Sequence, residues 1–233
     1  MENSQEDLKF TPIREIDDSH ALVNIRGVCK FIESPTVSNK RLYTFFNIYD
    51  EEGDGIRVWA KNELVDEVMY KVQPNQTYEI TNALVENKDP RVNFLHKDKQ
   101  LVLKGDSEIR LCDRESYAIR KEYAILPLSQ LSMEAPRPFS VFGRITQVDP
   151  VVYKPSKYKE NEPMRKVSII DAHGDERQMT LWRNHTHEID QKDVGRMVYL
   201  NGVRAATFQG KCEIRNLCDT EITVYRHLEL DEN

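Results

Sequence analysis

Two tryptophans and one loop phenylalanine are the residue types here that could act on a flat, aromatic ligand. Trp59 and Trp182 are the only tryptophans in the chain, and each follows an acidic turn, Asp50-Glu51-Glu52-Gly53 or Asp171-Ala172-His173-Gly174. Around the first, Arg57, Trp59 and Lys61 alternate with Val58 and Ala60; around the second, Gln178, Thr180 and Trp182 alternate with Met179 and Leu181. Alternate residues of a strand share a face, and a face of Arg, Trp and Lys, or of Gln, Thr and Trp, is not a core face. Phe208 lies in the turn-like stretch Ala206-Thr207-Phe208-Gln209-Gly210-Lys211, where a large hydrophobe has little reason to be except contact. Rings presented in this way stack on nucleobases for about 1–3 kcal/mol each, whatever the base. The competing readings make the tryptophans core residues and Phe208 a cap over one end of the fold.

Stacking needs a basic track beside it to hold phosphates. The clearest candidate is Val151–Lys166, with five bases (Lys154, Lys157, Lys159, Arg165, Lys166) against two acids and with Tyr153 and Tyr158 interleaved. A merely solvated loop is the alternative. Arg144, Arg177, Arg183, Arg204 and Lys211 could extend the track, and the first half of the chain offers Lys30, Lys40, Arg41, Arg57 and Lys61. The formal charge of −6 at first argues against a polyanionic partner. Its location changes that conclusion: residues 1–20 and 219–233 carry −4 each, leaving +2 on 21–218. Binding follows the local field rather than the total.

Other chemistries find little support. The chain has no Gly-x-x-x-x-Gly-Lys phosphate loop, no His-Glu-x-x-His and no serine nucleophile elbow, so no enzyme and no cofactor are expected. His185 and His187 read as solvated. Cys29, Cys112, Cys212 and Cys218 form no C-x-x-C pair, which makes zinc unlikely by spacing, and Cys29 reads as a small buried hydrophobe. No apolar run reaches membrane-spanning length and the first residues do not read as a signal peptide, so a soluble intracellular chain is expected.

The elements that must position these residues occur twice. Pro12-Ile13-Arg14-Glu15-Ile16 is echoed by Pro127-Leu128-Ser129-Gln130-Leu131, Gly27 by Gly143, the acidic turns by each other, and Asn82-Ala83 by Asn201-Gly202. Ordered repetition of this kind means two copies of one small domain. The first copy reads as strands Ala21–Ile32, Leu42–Tyr49 and Ile56–Ala60, a helix opening at Asn62 as N-cap, and strands Thr77–Val85 and Leu101–Leu111. The second reads as Phe139–Val148, Lys166–Asp171, Gln178–Trp182, a short polar helix near His185–Asp190, Met197–Ala205 and Lys211–Leu217. Five strands with a short helix between strands three and four is the order of the OB-fold, a small Greek-key barrel. The expected class is all-β, two tandem OB-folds: an acidic N-terminus over 1–9, OB-fold one over 10–112, a linker over 113–123, OB-fold two over 124–225 and an acidic tail over 226–233.

On these residues the chain resembles the two central DNA-binding OB-folds of the replication protein A large-subunit family. In the first copy the likeness rests on Asp50-Glu51-Glu52-Gly53, Asn62-Glu63-Leu64-Val65-Asp66 and Leu103-Lys104-Gly105-Asp106-Ser107-Glu108. In the second it rests on Thr180-Leu181-Trp182, Gly202-Val203-Arg204 and Phe208-Gln209-Gly210-Lys211. The resemblance covers about residues 10–225. It implies that Trp182 and Phe208 are the stacking pair of the second domain. In the first domain the family's strand-three aromatic falls on Lys61, with Trp59 two residues earlier on the same face. The second aromatic falls near Gln100, with Phe94 as the nearby ring. The resemblance thus implies weaker binding by the first domain. The family's zinc-bearing third OB-fold and its N-terminal protein-binding OB-fold have no counterpart in these residues.

The expectation is a nuclear single-stranded DNA-binding protein of replication, repair, recombination or telomere maintenance. Its partners would be single-stranded DNA and other genome-maintenance proteins, with no membrane. An adaptor whose OB-folds scaffold a complex, or a single-stranded RNA binder, are the alternatives.

Overall fold

The computed structural model describes residues 8–90, 93–112, 122–135, 138–155 and 161–226. The chain divides into two compact units, Met1–Lys121 and Glu122–Asn233.

The first unit contains β1 (Leu22–Ile32), β2 (Thr36–Ser38), β3 (Arg41–Tyr49), β4 (Gly55–Lys61), α1 (Glu63–Lys71), β5 (Thr77–Asn87), β6 (Lys99–Val102) and β7 (Glu108–Leu111). Its strands pair in the order β1-β3-β4-β6-β5, and β5 returns to β1, so five strands close a barrel with no free edge between them. The second unit repeats the plan with β8 (Phe139–Val148), β9 (Val152–Lys154), β10 (Glu162–Ile170), β11 (Glu176–Trp182), β12 (Met197–Phe208) and β13 (Lys211–Tyr225). There β8, β10, β11, β13 and β12 close the ring. In both units the strands after the acidic turn and after the last loop run parallel, β4 with β6 and β11 with β13, while the other barrel pairs are antiparallel. Both units are OB-fold barrels, in the repeat order read from the sequence.

Each core is filled from one side of the alternating strands. Ile56, Val58 and Ala60 of β4 and Phe46 and Ile48 of β3 point inward with Ile25, Ile80 and Leu101. Met179, Leu181, Ile214, Val203 and Ala205 do the same in the second barrel. The two mid-strand glycines have one physical cause. A Cβ at Gly27 would lie 2.3 Å from the Tyr49 carbonyl oxygen, and one at Gly143 would lie 2.6 Å from that of Ile170. The coiled first strand of each barrel, β1 or β8, presses there against the end of β3 or β10, so no side chain fits.

The repeated Pro-Ile/Leu segments also share a job. Each opens a 3-10 turn, Ile13–Glu15 or Leu128–Gln130, docked on the acidic turn of its barrel. The Asp50 carboxylate accepts from the backbone N–H groups of Ile13, Glu52 and Asp54. Asp171 accepts from those of Leu128, His173 and Asp175. Burial would raise the Asp171 carboxyl, but these three N–H donors outweigh it and hold it below the usual carboxylate range.

Several local readings need correction. Phe208 ends β12 rather than lying in a turn, because the β12–β13 ladder runs out to the Phe208–Lys211 pair, and β13 continues to Tyr225. His185 is not solvated: its ring is held between Glu188 and the Cys218 carbonyl. Asn62 precedes α1, but its φ is 53° and its side chain makes no capping bond; it turns the chain rather than capping it. The polar helix of the second copy consists of two 3-10 turns, Arg183–His187 and Gln191–Asp193, the latter closed by a reciprocal Asp190–Asp193 capping box. Leu101–Leu111 is two strands, because Lys104–Ser107 closes a turn between them, with the Ser107 N–H 3.0 Å from the Lys104 carbonyl.

Candidate nucleic-acid interface

Register decides which side chains share the outer face of each barrel. In the second unit β11 pairs with β10 so that Met164 faces Trp182, Lys166 faces Thr180 and Ser168 faces Gln178. Thr180 is opposite Arg215, Arg215 is opposite Arg204, Glu213 is opposite Ala206, and Lys211 is opposite Phe208. Residues directly opposite lie on one side of a sheet. The face turned away from the core therefore carries Trp182, Phe208 and Met164 with Lys166, Lys211, Arg204 and Arg215. Trp182 is half-buried and Phe208 is 43% exposed. The Lys166 ammonium lies 4.8 Å from the Phe208 ring centroid and donates to Gln178 Oε1 at 2.8 Å. Glu213 is buried and satisfied on both sides, accepting from Thr180 Oγ1 at 3.0 Å and from Arg215 Nε at 2.5 Å. The Trp182 backbone N–H is held by Asn216 Oδ1 at 2.8 Å. Two rings, a thioether and four cations on one face suit stacked bases and their phosphates.

The first barrel builds a different platform. Phe45 is opposite Trp59, Asn47 opposite Arg57 and Tyr43 opposite Lys61. Phe31, Phe45 and Trp59 form a ladder, with ring centroids 5.8 Å and then 5.0 Å apart. The Arg57 guanidinium lies 3.9 Å over Phe45 and 6.0 Å from Trp59, and its Nε points to Asn47 Oδ1 at 3.4 Å. Arg57 is 5% exposed, so its cation is spent largely on the ladder. The indole N–H of Trp59 donates to Gln100 Oε1 at 3.1 Å. Lys61 sits 4.0 Å from Glu86, which faces Gln100 across β5 and β6.

The loop between β5 and β6 is pinned at its far end by His96. Its Nδ1 accepts from the N–H groups of Asp98 and Lys99, so its Nε2 carries the proton and donates to the Ile13 carbonyl at 3.0 Å. Burial pushes the imidazole below its ordinary value.

The other expected residues are spread over both units. Asn39 and Lys40, both at positive φ, form the tight turn between β2 and β3, and Lys40 and Arg41 are exposed there. Phe94 is half-buried in the β5–β6 loop. Lys154 is exposed on β9, opposite Glu162. Lys157 and Lys159 lie outside the described residues, as does Tyr158. Arg183 is bound to the buried Glu162, Nε to Oε1 at 2.8 Å. Arg144 is opposite Ile170, whereas Trp182 is opposite Met164. That is roughly 20 Å away at a strand rise of about 3.3 Å per residue. Arg144 instead lines a cleft of about 650 Å³ with Ile125, Phe142 and His173.

The two tryptophans are not equivalent. Val58 and Met179 hold the same place in the parallel pairing, so Trp59 matches Thr180 and Lys61 matches Trp182. Phe31, Phe45 and Arg215 are not among the residues the sequence singles out, and Gln100 enters there only as the place of the family's second aromatic. Their signal, alternation on the face opposite the core, becomes usable only once register is known.

These barrels make the chain a tandem OB-fold protein. It is replication protein A-like, with large subunits of that protein as its curated relatives. A replication protein A 70 kDa DNA-binding subunit of Arabidopsis thaliana is 27% identical over 139 residues, 59% of this chain and 22% of that one. Replication factor A protein 1 of Saccharomyces cerevisiae is 24% identical over 204 residues, 87% of this chain and 32% of that one. The chain thus spans about a fifth to a third of the length of these two relatives. A solved replication protein A heterotrimer bound to ssDNA matches the fold with a TM-score of 0.64 and 17% identity, over 94% of this chain and 52% of that one. No protein-family model matches the chain. Among the described residues, no helix is long and apolar enough to cross a membrane, and no cluster of three or more His, Cys, Asp or Glu could hold a metal ion.

Proposed function

We propose that this chain is a non-enzymatic single-stranded DNA-binding protein of nuclear genome maintenance, working through base stacking and phosphate contacts. The observation that carries the reading is the outer face of the second barrel, where Trp182 and Phe208 share one surface with Lys166, Lys211, Arg204 and Arg215. Unpaired bases can enter between rings and cations; stacked pairs in a duplex cannot. The relatives, named as DNA-binding replication subunits, support the same reading. A titration of the full chain with oligo-dT, oligo-rU and a duplex of equal length tests it. Tighter binding of oligo-dT than of duplex is expected; equal affinities, or no binding at low salt, would overturn it, and a clear preference for oligo-rU would turn it toward RNA.

A second reading, an adaptor in a genome-maintenance complex, draws on the cleft beside Arg144, rimmed by the exposed Phe142 and Ile125. It expects feeble DNA binding and loss of a protein partner when Phe142 is made polar.

A further inference from the structure

The substitution near the first barrel's stacking position changes what that barrel can recognise. An indole N–H only donates, so the Gln100 side chain must turn its carbonyl oxygen toward Trp59 Nε1, as the 3.1 Å bond records. That choice fixes the other end of the amide. The Gln100 Nε2 group has no hydrogen-bond partner among the described residues and is not one of the buried unsatisfied groups, so it keeps contact with solvent. It sits on the outer face, beside Trp59 and across from Glu86. Trp59 is held as well, braced on one side by Phe45 at 5.0 Å.

We infer that Gln100 is a specificity-determining residue of the first barrel, donating from Nε2 to a carbonyl oxygen on the base that stacks on Trp59. The inference rests on the single-stranded DNA reading and deepens it. A free glutamine reads adenine with both ends of its amide, accepting from N6 and donating to N7. Here the carbonyl oxygen already holds the indole N–H, so the two-bond contact with adenine would have to share that one oxygen between two donors. Thymine offers bare carbonyl acceptors, O2 and O4, to the remaining donors. The second barrel differs at this place, since Trp59 is matched by Thr180, so selectivity is assigned to one barrel and not to the chain as a whole.

The test uses the full chain with Trp182→Phe, which keeps a ring in the second barrel and leaves Trp59 as the sole tryptophan. Binding of dT12 and dA12 is followed by Trp59 fluorescence and, independently, by anisotropy of labelled oligomers. Gln100→Met, of similar length but unable to hydrogen-bond through an amide, should lower the dT12-to-dA12 affinity ratio by about two- to tenfold, the worth of one net hydrogen bond. Gln100→Glu keeps an acceptor for the indole and loses the donors, so it should lower the same ratio even if Gln100→Met does not fold. An unchanged ratio in a folded variant would overturn the inference, as would Trp59 fluorescence that ignores dT12 while anisotropy reports binding. Absence of binding to either oligomer by the parent chain would instead overturn the DNA reading itself, and this inference with it.

Discussion

Trp182 and Phe208 leave ring surface for a base, whereas Trp59 is already braced by Phe45 and tied to Gln100. Substituting Trp182 or Phe208 by alanine should therefore cost about 1–3 kcal/mol of single-strand affinity each, and Trp59→Ala less, measured by anisotropy at fixed salt. A larger loss for Trp59→Ala with the fold intact would show that the first barrel dominates. The outer placement of Trp182 and Phe208 is legible because a tryptophan on a polar alternation and a phenylalanine just before a Gln-Gly turn are conspicuous alone. Phe45 was not, since Leu42 to Tyr49 is apolar on both faces and only the pairing with Trp59 sorts outer from inner. Arg215 was hidden for the same reason. Its neighbours Thr180 and Arg204 lie far away in sequence and meet it only across parallel and antiparallel ladders.

At the scale of elements, two devices hold the proposed binding surfaces in place. The first is the close approach of β1 to β3 at Gly27, and of β8 to β10 at Gly143. Gly143→Ala would drive a methyl to within 2.6 Å of the Ile170 carbonyl oxygen and of the Ile169 side chain. Backbone cannot yield cheaply there, so a loss of about 1–3 kcal/mol for the second barrel is expected in thermal or urea unfolding. A variant as stable as the parent would mean that the strand shifts without cost. The repeated glycines were legible as marks of coiled strands, but their partner was not, because contact with a carbonyl leaves no trace in the sequence.

The second device is the His96 anchor of the β5–β6 loop. An ordinary histidine titrates near 6.5, and burial pushes His96 lower. Between the two values the unfolded chain holds a proton that the folded chain does not, so stability rises with pH there. The contribution is full above about 6.5 and is lost as pH falls. Protonation at Nδ1 also displaces the Asp98 and Lys99 donors. Amide exchange over 93–99, corrected for its intrinsic pH dependence, should accelerate below pH 6.5. In a His96→Gln variant that pH step should vanish. A loop whose protection is flat from pH 7.5 to 5 would remove His96 as the anchor.

For the molecule as a whole, a net charge of −6 is the wrong sign for the proposed polyanion partner, so attraction would have to come from the local field of the candidate faces. Each cation that neutralises a phosphate of a single strand contributes about −0.7 to the slope of log affinity against log salt, whereas stacking contributes almost nothing to it. Lys166 and Lys211 bracket Phe208, one 4.8 Å from its ring and the other directly across the strand pair. Changing both to glutamine should flatten the slope by about 1.4 and weaken binding most at low salt. Trp182→Ala should lower affinity at every salt and leave the slope alone. The two perturbations thus separate phosphate attraction from base stacking in one titration series. A double lysine variant with the parent's slope and affinity would take the phosphates off this face, and would move the weight of interpretation to the adaptor reading, in which these lysines matter only to a protein.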